Sequence, residues 1–298
     1  MITDPEILQD TDSADIAAAT AVPSPLPGDL VKRHRLSTRI WHWVNAATLL
    51  ILFMSGLMIF NAHPRLYWGQ AGAKLDAAWL EIGSQADAGY ARIGSAKVDT
   101  TGVLGRWTDA DGATQKYAFP GWITIPSKYS LADARLWHFL FGFVLAFGLL
   151  TYMLRSLFNR HISADLHIRR AEWSLRHIWQ DVKDHARLRF PTGAAALSYN
   201  ILQKLSYIGV IFVLLPLMIF TGLAMSPNMN AAFGWLIDIF GGRQSARSIH
   251  FIATFGLVAF FAVHMVMVVL AGPINEVRSM ITGNFRLPGK RDVAEESA

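Results

Sequence analysis

The chain has 298 residues, of which 52% are hydrophobic and only 16% charged, and it carries a net charge of +5 with no cysteine. That balance is unlike a soluble domain, and the missing cysteine excludes disulfides, thiolate-bound iron–sulfur clusters, cysteine-ligated zinc and covalently attached haem. The basic residues cluster beside apolar blocks, where membrane topology accounts for them, so the charge does not point to nucleic acid.

Four apolar blocks are long enough to span a bilayer, at about residues 40–60, 135–154, 205–225 and 249–272. They predict an all-α membrane protein, a four-helix transmembrane bundle with a long periplasmic loop and a cytoplasmic amphipathic segment. The bundle domain is expected over residues 31–275, between an acidic tail at 1–30 and a second tail at 276–298. The first tail carries Asp4, Glu6, Asp10, Asp12 and Asp15 with several prolines and reads as disordered. It lacks the basic start and apolar core of a signal peptide and is expected to remain on the protein.

Lys32, Arg33, Arg35 and Arg39 precede the first span and place the amino terminus in the cytoplasm. Trp41-His42-Trp43 follows at that boundary. His42 reads equally as an interfacial residue, but Gly56, fourteen positions on, lies on the same helical face and would leave room for a flat macrocycle near the other surface. Residues 61–133 form a periplasmic loop too long for a connector. Arg106-Trp107-Thr108 and Gln115-Lys116-Tyr117 around Asp111-Gly112 predict a hairpin within it. The loop is expected to cap the bundle and dock a partner.

The second span opens with Arg135-Leu136-Trp137-His138 and is thinned by Gly142 and Gly148. The connection over 155–204 is rich in arginine and therefore cytoplasmic. Its stretch from Ala164 to Leu188 mixes apolar residues with bases and suits a helix lying on the membrane surface. His161, His167, His177 and His185 fall on this solvated segment and are not expected to bind metal. The third span has no histidine and is expected to kink at Pro216. Asn200-Ile201-Leu202-Gln203-Lys204 just before it is an amide-rich patch that also reads as a helix cap with an interfacial lysine. Arg243 and Arg247 precede the fourth span; they could pair with carboxylates of a macrocycle or be ordinary span flanks.

The fourth span holds His250 and His264, fourteen residues and so roughly 21 Å apart on one face. Arg278, Arg286, Lys290 and Arg291 return the carboxyl terminus to the cytoplasm. The topology, read from charge alone, sets His138 level with His250 toward the periplasm and His42 level with His264 toward the cytoplasm. An ionisable side chain inside a span is costly unless paired or coordinated. Matching depth at both levels predicts two b-type haems, each bound by two histidines, with His42, His138, His250 and His264 as metal ligands.

The His250-x13-His264 spacing, with single histidines at His42 and His138, resembles the bacterial di-haem cytochrome b561 and nickel–iron hydrogenase b-type cytochrome family over roughly residues 31–290. Within it the chain looks most like the gamma subunit of respiratory formate dehydrogenase and the cytochrome b subunit of thiosulfate reductase. The resemblance implies a multi-pass subunit of the bacterial inner membrane, passing electrons between quinone and a periplasmic, molybdenum-containing oxidoreductase. Asn200, Gln203 and Lys204 are similar to residues that border a quinone site beside the cytoplasmic haem in such subunits. The 61–133 loop is much longer than in that subunit. A second function open to the chain is a stand-alone superoxide:quinone oxidoreductase, with Arg243 and Arg247 giving the outer haem a positive approach. A third is a redox-inactive anchor or transporter, which would be colourless.

Overall fold

The computed structural model describes residues 26, 28–73, 76–158, 174–186 and 201–287. A short strand β1 (Leu30–Lys32) leads into the first long helix, α1 (Leu36–Asn61). The insert that follows carries β2 (Arg65–Leu66), β3 (Leu80–Gln85), β4 (Ala88–Ile93), β5 (Ala96–Asp99), β6 (Trp107–Thr108) and β7 (Thr114–Gln115). Helix α2 (Leu131–Phe158) is the second span, and α3 (Leu175–Ala186) is a separate short helix. The third span runs through α4 (Ile201–Ile208), a π turn at Gly209–Leu214 and α5 (Leu215–Met225). Two short helices, α6 (Pro227–Ala232) and α7 (Trp235–Ile239), precede the fourth span, α8 (Arg243–Leu270). The last elements among the described residues are α9 (Pro273–Thr282) and β8 (Asn284–Arg286).

Among the described residues, four helices are thus long and apolar enough to cross a membrane. They overrun the apolar blocks, the fourth starting at Arg243 rather than near 249. Helical backbone continues into the interfacial zone, where Arg243, Gln244 and Ser245 are stable and hydropathy gives no signal. Pro216 does not break the third span. It stands at the second position of α5, directly after the π turn, whose i to i−5 bond from Leu215 to Val210 widens the helix where a proline can donate nothing.

The insert adds strands to a mostly helical chain, and its meander goes beyond the one hairpin expected there. Strands β2, β3, β4 and β5 form an antiparallel meander, closed by two-residue turns at Ala86-Asp87 and Gly94-Ser95, where Ala86 and Gly94 have positive φ. The β6–β7 hairpin pairs Trp107 with Gln115 and Thr108 with Thr114, as the Asp-Gly turn predicts. Leu66, Leu80, Ile82 and Phe119 pack on Leu57 and Phe60 at the end of α1. Each such burial contributes roughly 1.5–3 kcal/mol. The Asn61 carboxamide accepts from the Phe119 N–H at 2.8 Å and donates to its carbonyl at 3.1 Å.

Helix α8 has no capping side chain of its own, and the insert supplies the cap. The Gly69 carbonyl accepts from the backbone of Gln244 and Ser245 at 3.0 and 3.1 Å, and Gln70 Oε1 accepts from Arg243 N–H at 2.9 Å. Gly242, at φ 117°, passes so close to Gly69 that a Cβ would lie 2.4 Å from its carbonyl. At the opposite end β1 and β8 pair antiparallel, Arg33 bridges to Glu276 at 3.2 Å, and the Trp43 indole donates to the Met280 carbonyl at 3.1 Å. The bundle therefore has an insert end and a terminal end, the latter stitched by both ends of the described chain.

Candidate functional site

His138 lies seven residues into α2 and His250 seven residues into α8, both counted from the insert end. His42 lies six residues into α1 and His264 six before the end of α8, both counted from the terminal end. Antiparallel helices with such offsets bring the rings to two levels. The His138 and His250 ring centres are 6.2 Å apart with planes inclined at 59°, and those of His42 and His264 are 6.4 Å apart at 55°.

The hydrogen bonds at the insert-end pair fix its tautomers. Ser55 donates its hydroxyl proton to the Ile51 carbonyl at 2.6 Å, so the oxygen that meets His138 Nδ1 at 3.0 Å accepts. Thr221 donates to the Leu217 carbonyl at 2.6 Å and meets His250 Nδ1 at 2.8 Å in the same way. Nδ1 therefore carries the proton in both imidazoles, and each Nε2 keeps a free lone pair for a metal.

Glycine follows the hydroxyl in both cases. A Cβ on Gly56 would stand 3.3 Å from His138 Cε1, and one on Gly222 would stand 3.7 Å from His250 Cε1. Gly56 does lie at the level opposite His42, as its spacing predicts, and the structure seats it against His138. Ser55, Thr221 and Gly222 were not visible as site residues in the sequence. The available signal was a short echo between spans, Ser55-Gly56-Leu57 in the first and Thr221-Gly222-Leu223 in the third.

At the terminal-end pair, His42 meets Trp43 edge-on at 5.1 Å and His264 stacks on Phe260 at 5.9 Å. His42 Nδ1 is buried without a partner. His34, just outside the span, has its pKa lowered to about 4 by burial, with Arg33, His42 and Arg39 adding to the effect, and so stays neutral near pH 7.

The other sequence candidates are placed as follows. Arg247 directs its guanidinium to the carbonyls of Arg65 and His63 at 3.1 and 2.5 Å and lies 5.6 Å from the Phe60 ring centre, so it holds the insert to α8. Arg243 starts α8, with its backbone N–H on Gln70. Gln203 and the buried Lys204 lie in the first turn of α4 at the terminal end. Asn200, His161 and His167 lie outside the described residues.

Two imidazoles bound on opposite sides of one metal, with bonds of about 2.0–2.1 Å and about 1.1 Å from nitrogen to ring centre, stand roughly 6.3 Å apart. The observed 6.2 and 6.4 Å fall on either side of that value. Among the described residues no group of three or more His, Asp or Glu could enclose a bare ion. Each pair would give one metal two nitrogen ligands, fewer than a zinc or calcium site takes from protein, a donor set suited to a metal that brings a macrocycle with it.

A family model described as prokaryotic cytochrome b561 matches residues 33–283. One similar protein is a putative protein-methionine-sulfoxide reductase subunit, YedZ1, of Azospira oryzae, 34% identical over 141 residues that make up 47% of this chain and 67% of the relative. Another is a probable Ni/Fe-hydrogenase B-type cytochrome subunit of Azotobacter vinelandii, 27% identical over 54% of this chain and 71% of the relative. A protein of the same description from Azotobacter chroococcum is 26% identical over 46% of this chain and 61% of the relative. No solved structure matches the chain.

Proposed function

Because the chain belongs to the prokaryotic cytochrome b561 family, we propose that it is a di-haem b cytochrome of the bacterial inner membrane, passing electrons between the quinone pool and a periplasmic oxidoreductase partner. The observation that carries this reading is the pairing of four histidines at two depths, with ring centres 6.2 and 6.4 Å apart. Bound haem would supply the one-electron chemistry, and the protein supplies binding, orientation and electrostatics. His138 and His250 would hold one haem near the insert end; His42 and His264 would hold the other near the terminal end.

The positive-inside rule puts the terminal end in the cytoplasm, since Lys32, Arg33, Arg35, Arg39, Arg155, Arg278 and Arg286 all belong to that side. The insert is then periplasmic, and α3, with Trp179 and Val182 exposed, lies along the inner surface. Quinone would bind on the cytoplasmic side, with Asn200, Gln203 and Lys204 bordering it. Both kinds of matched relative are named as subunits, of a hydrogenase and of a methionine-sulfoxide reductase, which supports a partner enzyme at the insert end, of the molybdenum-containing class by resemblance. A stand-alone superoxide:quinone oxidoreductase would need an open positive approach to the outer haem. The commitment of Arg247 to insert carbonyls speaks for the partner reading instead.

An electron crossing the bilayer is coupled to the membrane potential by about 2.3 kcal/mol per 100 mV, so turnover would exchange energy with that potential. The test is the purified protein's haem content together with its spectrum, oxidised against dithionite-reduced. Two haems b per polypeptide are expected; a colourless protein, or one haem per chain, would overturn the reading.

A further inference from the structure

Ser55 and Thr221 repeat one arrangement in two spans that are not neighbours in sequence. Each side chain is wholly buried, donates to the carbonyl four residues back at 2.6 Å, turns its oxygen to a histidine Nδ1 on the adjoining helix at 3.0 or 2.8 Å, and is followed by a glycine against that ring. A hydroxyl inside a span needs only the bond to its own helix to be satisfied. The second contact, made twice and both times to one member of the same histidine pair, goes beyond that need.

We infer that Ser55 and Thr221 are positioning residues that hold His138 and His250 with Nε2 facing the iron and lower the reduction potential of the insert-end haem below that of the terminal-end haem. The inference rests on the di-haem reading. An Nδ1–H that donates to an oxygen shifts electron density onto the ring, makes Nε2 a stronger donor and favours the ferric state. Both ligands of the insert-end pair have this bond, whereas His42 Nδ1 at the terminal end is buried without a partner. The asymmetry favours an electron resting at the terminal end, on the side assigned to quinone.

The experiment is a spectroelectrochemical titration of the full chain, unsubstituted and as Ser55→Ala, Thr221→Val, their double variant and Thr221→Ser. Valine keeps the shape of threonine without its hydroxyl; serine keeps the hydroxyl. Two waves are expected from the unsubstituted protein, the lower being the one that survives in His264→Ala. That wave should move upward in Ser55→Ala and Thr221→Val, further in the double variant, and stay in place in Thr221→Ser, while the upper wave does not move. Loss of one haem from Thr221→Val but not from Thr221→Ser also supports the assignment. Unmoved waves, movement of the upper wave alone, or equal behaviour of Thr221→Val and Thr221→Ser would overturn it. The di-haem reading fails separately, when the unsubstituted protein does not show two waves.

Discussion

The Trp79 indole donates to the Ser248 hydroxyl at 2.9 Å, and Ser248 in turn donates to the Tyr67 carbonyl at 2.6 Å. Ser248 is wholly buried and precedes His250 by two residues, so the insert is fastened to the helix that carries two of the four histidines. Trp79 also stacks on Trp68, which is exposed at the insert end. Removing the hydroxyl leaves an indole N–H and a carbonyl unpaired at about 1–3 kcal/mol. Ser248→Ala should therefore leave both haems bound while limited proteolysis within residues 62–130 becomes several-fold faster.

The histidines should fall into two groups when replaced one at a time by alanine. His42→Ala and His264→Ala should each lose the same haem, and His138→Ala and His250→Ala the other, because the pairs span different helices at 6.4 and 6.2 Å. Haem quantification with the spectrum of the survivor decides it. Four variants that all keep two haems, or a loss shared between His42→Ala and His138→Ala, would remove the pairing.

The two ring pairs were legible in the sequence because depth follows from charge at the span ends, and depth alone pairs His42 with His264 and His138 with His250. The hydroxyls were not, since a serine or threonine in a span most often bonds its own helix, and nothing in one strand of sequence shows that Ser55 faces a ring eighty-three residues away. The β6–β7 hairpin announced itself through Asp111-Gly112. The larger meander did not, because its turns at Ala86-Asp87 and Gly94-Ser95 lack the usual Asn-Gly signature and its strands are short. Arg247 shows the limit of reading flanks by charge: its bonds go to carbonyls of a loop more than 180 residues earlier in the chain.

Glu81 should make the insert sensitive to acid. Its carboxylate is mostly buried, which alone would raise its pKa, but hydrogen bonds from Arg92, Tyr90 and Arg65 outweigh burial and hold it below the ordinary value. The bonds run to Arg92 at 2.7 Å, Tyr90 at 2.8 Å and Arg65 Nε at 2.9 Å. A carboxylate with a depressed folded-state pKa contributes stability above its unfolded pKa and loses it as pH falls through the folded value. Glu81→Gln should thus destabilise the insert by about 2 kcal/mol at pH 7, seen as faster hydrogen exchange in β3 and β4. The difference from the unsubstituted protein should shrink as pH drops below the ordinary carboxylate range, and a difference that grows instead would count against the network.

Gly148 on α2 faces the six-membered ring of Trp41, the neighbour of His42, so closely that the sequence reading of this glycine as a thinning of the helix takes on a specific partner. A Cβ there would stand 2.4 Å from Trp41 Cζ3 and 2.9 Å from Cη2. Trp41 has little room to retreat, because it stacks on Tyr152 at 5.8 Å and 13° and packs against the cluster of Leu145, Leu149 and Leu215. Gly148→Ala should therefore overpack the terminal end at a cost of about 1–3 kcal/mol, lowering the thermal midpoint and displacing the His42 ring enough to alter the spectrum of one haem. Trp41→Phe removes the two atoms that collide, at its own cost in lost packing. In the double variant the penalties should fall well short of additive, the coupling expected of residues in direct contact. Additive penalties, or a spectral change confined to the haem held by His138 and His250, would mean that the glycine serves something other than the seat of Trp41.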